Sequence, residues 1–323
     1  MTATASPITL RADALVAERL PEARLLATRL ADELQDPQTF VSALRDGLRR
    51  LADPVHAETQ ASTVPGARGL LGVRAPLLAA VAAGLRGPLA EASPAIAIYL
   101  ADALSRAAEH ELKLFALVPL RRSLAADPER TWQLLRRLAR EAGDWETVDS
   151  LAGLAAEGIL QEPYRWAELE QLVYSPHRWE RRLAAATVAV IPFRVRPPER
   201  AARLGRTSGL MIIESLLGDA EPEVQKALAW ALRSWREVDA GAVARLLRAE
   251  AAAAAARRDG HRAWVLREAL SGAGADAALA AEIRARLAGV RRQAGTPGTS
   301  RALQAAAAFR GLPDARLMAE PPL

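Results

Sequence analysis

The chain of 323 residues has no cysteine, which excludes disulfides and thiolate metal sites. Aromatic residues make up only 4% and runs of β-branched residues are rare. Alanine and leucine dominate instead, which favours an all-helical protein. No apolar window approaches the roughly 18 residues needed to span a membrane. The opening MTATASPITLRADALVAERL lacks an apolar core long enough for a signal peptide. A soluble, cytoplasmic protein is expected. Lysine is almost missing too: of 43 basic residues only Lys113 and Lys226 are lysine, and the net charge is +5. Base composition of a GC-rich genome accounts for much of that bias. Arginine also binds phosphate bidentately, so a phosphate-facing surface is the sharper reading. Charge alone does not choose between them.

What is present is helix punctuated by short breaks. QDPQ at 35–38, ADPER at 126–130, RPPER at 196–200, GDAEPE at 218–223 and RDGH at 258–261 are such breaks, each carrying Pro, Gly or Asp. The stretch from 53 to 75 reads as the longest irregular loop, and the segment after about 292 as a loosely ordered extension with at most one short helix. Segments beginning at 109, 176, 221 and 260 share a form, a polar turn, then an apolar residue near a basic one, then an Ala/Leu ridge, and GDWETVDSLAGLAAEGI from 143 sits between the first two. Their spacing, about 33–45 residues, suits paired-helix repeats of the HEAT type. The expected fold is an all-α, HEAT-like solenoid with a concave basic groove, in one domain over 1–290 and an extension over 291–323.

Placed on helices, the unusual residues align. Trp145 and Asp149 are i and i+4. Trp179 and Arg182 are i and i+3, while Lys226, Trp230 and Arg233 follow at i, i+4 and i+7. A buried stripe avoids charge, and a solvated one seldom repeats tryptophan. A mixed stripe suits a groove for a polyanion with flat parts. Against this, a tryptophan in a helical repeat is usually core, as expected for Trp132, Trp166, Trp235 and Trp264; Trp179 also has a core reading. Asp149 has the simpler reading of a surface carboxylate paired with arginine, and Asp144 that of an N-cap. The four histidines, His56, His110, His177 and His261, are scattered, and no metal site is expected. Nor is there a Gly-rich phosphate loop, a Ser/His/Asp signature or an HExxH. No cofactor is expected.

DWETVDSLA, SPHRWERRLAAA and VQKALAWALR, in that order, resemble the AlkD-like DNA alkylation repair family, HEAT-like alkylpurine DNA glycosylases. LLGVRAP at 70–76 and EHELKLFA at 109–116 are similar to further elements of that family, and the resemblance covers about 70–240. It implies a solenoid that holds double-stranded DNA and excises N3- or N7-alkylated purines without flipping the base. It implies Trp145, Asp149 and Trp230 as the catalytic cluster and Arg182 as a DNA contact. Arg181, Lys226, Arg233 and Trp179 complete the expected DNA-binding set. No membrane or obligatory protein partner is implied. The chain departs from the family at Glu221, Pro222 and Glu223, where relatives often carry aromatics, and at Asp144 beside Trp145.

The chemistry fits the residue types. A cationic alkylpurine leaves without protonation, so no general acid is needed. Charge develops on the sugar as an oxocarbenium ion, which a carboxylate stabilises and an indole face attracts by about 0.5–2 kcal/mol. Two other readings stand beside this one: a non-catalytic protein binding distorted or branched DNA, and a protein-binding HEAT scaffold.

Overall fold

A computed structural model describes residues 7–196, 198–272 and 274–309. Among the described residues every regular element is a helix, as the composition predicts. None is long and apolar enough to cross a membrane. Each expected break is followed by a helix start, at Pro37, Pro128, Pro198, Pro222 and Gly260. The local cause is visible at several of them. Asp36, Asp127 and Asp259 accept hydrogen bonds from backbone N–H groups of the first turn, and proline at the first helical position lacks only a donor that would have been unused. The stretch from 53 to 75 is more ordered than expected: Asp53 caps a helix, Pro54–Thr63.

The chain divides into two compact units, residues 1–154 and 155–323. In the first, Pro7–Asp32 packs on Pro37–Arg50 and Ala75–Gly84, and Pro94–Ser105 packs on Pro37–Arg50, Leu117–Ser123 and Pro128–Glu141. Leu30, Leu44, Leu48, Leu77 and Leu100 are fully buried there. Two segments singled out in the sequence meet in this unit. The buried Glu111 carboxylate, from EHELKLFA, accepts from the N–H groups of Leu71, Gly72 and Val73, from LLGVRAP, at 2.6–3.1 Å. Gly72 adopts φ +77°, and a Cβ there would lie 2.3 Å from the Asp53 oxygen, so only glycine permits that turn.

The second unit shows the paired-helix repeat of the HEAT-like class clearly. Arg178–Arg194 pairs with Pro198–Leu216, Pro222–Arg236 with Ala240–Arg257, and Gly260–Ala269 with Ala277–Arg286. The first helix of each pair packs on the first helix of the next. Alanines 184–186 and Ala189 on one side and Ala227, Ala229 and Ala231 on the other, all buried, let these backbones approach closely. Trp235 locks the layers: its indole N–H donates to the Val188 carbonyl at 2.8 Å. Its ring fills the space left by Gly205, where a Cβ would lie 2.4 Å from it.

The extension is not loose where it is described. Thr299 N–H donates to the Gly218 oxygen at 2.8 Å, Arg292 to Gln225 Oε1 at 2.9 Å, and a helix follows at Arg301–Phe309. Residues 310–323 of the expected extension lie outside the described residues.

Candidate functional site

Trp145 opens the helix Trp145–Gln161. Asp144 caps it as expected, accepting from Thr147 N–H at 2.8 Å and from the Thr147 hydroxyl at 3.0 Å. The indole of Trp145 is partly exposed, and its Nε1 donates to the Thr63 carbonyl at 3.2 Å. That bond fixes the ring by its edge and leaves part of its surface open. Asp149, one turn on and on the same face, is also partly exposed. A recess of about 260 Å³ in this unit lies along Asp144, Thr147 and Leu151, a different face of the helix, and neither Trp145 nor Asp149 lines it.

Behind the helix start sits a network that the sequence reading missed. His110, only 1% exposed, meets Glu146 Oε2 at 3.0 Å and Asp144 Oδ2 at 3.7 Å. Burial disfavours the imidazolium, but the Glu146 hydrogen bond and the charges of Asp144, Glu146 and Glu111 outweigh it, so the pKa is raised. The His110 hydrogen bond in turn lowers that of Glu146, against partial desolvation. The carboxylates flanking His110 were the available signal; the histidine read only as the start of a turn.

In the second unit Trp230 is partly exposed on Pro222–Arg236. Lys226 is exposed, and its Nζ meets Glu223 Oε1 at 2.9 Å. Arg233, partly exposed, donates to the Glu268 carbonyl at 3.0 Å. Three expected DNA contacts are placed differently. Arg181 is 4% exposed, grips Asp219 through Nε at 2.6 Å and Nη2 at 3.3 Å, and donates from Nη1 to the Ser175 and Pro176 carbonyls. A guanidinium engaged inward on all three nitrogens has none left for a phosphate, so Arg181 is a structural residue. Trp179, at 8% exposure, belongs to the core, with Arg178 stacked on its ring at 5.0 Å. Arg182 is buried as well and reaches across to the carbonyl and carboxylate of Glu223. Of the tryptophans expected in the core, Trp132 and Trp235 are buried; Trp166 and Trp264 are partly exposed.

No group of His, Asp or Glu side chains suited to a metal ion occurs among the described residues. No curated protein matches the chain. A family model described as DNA alkylation repair enzyme matches residues 44–271, which contain every candidate residue above. The chain therefore belongs to the DNA alkylation repair enzyme family.

Proposed function

We propose that the protein is a DNA glycosylase that hydrolyses the N-glycosidic bond of N3- or N7-alkylated purines in duplex DNA, without flipping the base. The observation that carries this reading is Trp145 and Asp149 together: an indole held by its edge and a carboxylate one turn away, both partly exposed on one face. The C1′–N bond breaks with its electron pair going to the base, which leaves neutral because alkylation had made it cationic. Asp149 stabilises the cationic sugar and orients the water whose oxygen bonds to C1′; the water's proton passes to solvent. Trp145 offers a π-face to that cation, and Trp230 is the aromatic that the second unit contributes in this reading. Lys226 and Arg233 are the phosphate contacts in this reading.

Glu223 favours a second reading. It pairs with the exposed Lys226 and so competes with phosphate for one of those cations, as suits a non-catalytic DNA binder. One experiment separates the two. Wild-type protein should release 3-methyladenine or 7-methylguanine from alkylated duplex, and Asp149→Asn should release it at least about a hundredfold more slowly, the usual effect of losing a group aimed at developing charge. Duplex binding without release by the wild type selects the second reading.

A further inference from the structure

The start of helix Gly260–Ala269 and the loop 289–299 enclose a recess of about 560 Å³. The loop is pressed onto the helix start: a Cβ on Gly260 would lie 2.3 Å from the Arg291 oxygen. His261 holds it there, its Nε2 meeting both the carbonyl and hydroxyl oxygens of Thr296 at 2.9 Å, while Nδ1 faces Gln225 at 3.1 Å. The walls are therefore fixed before any ligand arrives.

Their charge is one-sided. Arg257, Arg258 and Arg291 all line the recess and all are exposed. None of the three has an ion-pair or side-chain hydrogen-bond partner among the described residues. The single carboxylate there, Asp259, is 4% exposed. It is turned inward to cap the helix through Arg262 N–H at 3.0 Å and to meet Arg262 Nε at 3.2 Å. Arg258 also occupies a position that disfavours it: as the C-cap of Ala240–Arg257 it adopts φ 54°, a left-handed conformation in which glycine is the usual residue. A long cation is kept there despite the strain.

We propose that this recess is a phosphodiester site, which grips the DNA backbone through Arg257, Arg258 and Arg291. Guanidinium forks match phosphate oxygens. Because all three arginines are exposed, a polymer can reach them as well as a small ion. Arg257 and Arg258 lie within residues 44–271, the part matched by the family model, while the loop with Arg291 lies beyond it, so the loop completes a site that the matched part only begins. The inference rests on the proposed function only in taking DNA as the ligand.

The test is binding of undamaged duplex by the full chain as a function of salt. Each phosphate contact contributes about 0.9 to the slope of log K against log salt. Arg257→Gln/Arg258→Gln/Arg291→Gln should flatten the slope by about two to three. Arg258→Gly guards against misfolding: it relieves the positive φ, so the melting temperature should rise while the slope falls by about one. An unchanged slope in both variants overturns the proposal, leaving the arginines as cations on a helix C-terminus. If inorganic phosphate at matched ionic strength abolishes the difference between wild type and the triple variant, the site is one for free phosphate, and the DNA assignment is also overturned. Salt-dependent binding through these arginines without base release sustains this site and removes the glycosylase; base release with an unaltered slope does the reverse.

Discussion

At one set of helix starts in each unit, charge is handled in opposite ways. In the first, one imidazole is surrounded by carboxylates: His110 faces Asp144, Glu146 and Glu111. In the second, carboxylates are gripped by guanidinium groups, Asp219 by Arg181 and Glu223 by Arg182. In both, charges that look available for a ligand in the sequence are used to join one helix to another. The singled-out residues that keep some exposure are Trp145 and Asp149 in the first unit and Trp230, Lys226 and Arg233 in the second.

Breaking the buried pair of the second unit should have the largest effect. Asp219→Ala leaves the Arg181 guanidinium buried without its anion and removes the acceptor of Glu221 N–H. Loss of one partner of a buried pair costs about 3–5 kcal/mol, seen as a lower denaturation midpoint. Adding Arg181→Met should recover much of that loss, since an apolar replacement of a whole pair is often neutral.

The first unit should respond to pH instead. The raised pKa of His110 means its contribution is complete below its ordinary value of 6.5 and is lost as pH climbs through the raised one. The depressed pKa of Glu146 means its contribution is complete above its ordinary value of 4.5 and is lost as pH falls through the lowered one. The pair therefore stabilises most between these limits. His110→Gln should flatten stability across neutral pH at a cost of about 1–3 kcal/mol near pH 6, the range for a hydrogen bond to a charged group. The measurement is a denaturant titration at several pH values; an unaltered pH profile in His110→Gln would sink the assignment.

How far this was legible in the sequence depends on the kind of signal. Helix starts were legible because Asp-Pro and Gly-Asp breaks act locally: Asp36, Asp127 and Asp144 all cap helices. The fold class followed from the repeat spacing and from the Ala/Leu ridges. Burial of Arg181 was not legible, and the pattern left Trp179 between groove and core. Periodicity places a residue on a face of its own helix, but the neighbour of that face, here Asp219 near the next helix start, lies 38 residues away in the chain. His110 was missed for the same reason: Glu146, its partner, is 36 residues distant. The tie between loop 289–299 and His261 escaped because Gly- and Pro-rich sequence looks alike whether it is pinned or free.

The smallest expected effect is also the one that bears most directly on ligand binding. Glu223 is partly exposed and holds Lys226 at 2.9 Å and Arg182 at 3.4 Å. An ion pair at such exposure contributes about 0–1 kcal/mol, so Glu223→Gln should leave the denaturation midpoint nearly unchanged. The electrostatic consequence is larger than the structural one. The carboxylate repels phosphate and also occupies the exposed Lys226 that would attract it. Its neutralisation should tighten duplex binding severalfold at low salt and steepen the salt slope by about one, a step of about 0.9 for the freed Lys226. Binding to duplex across a salt series reads both. A steeper slope with unchanged stability would mean that Lys226 serves DNA and is restrained by Glu223. A flat response with lowered stability would place all three residues in the fold alone, leaving Trp230 and Arg233 as the open residues of the second unit's stripe.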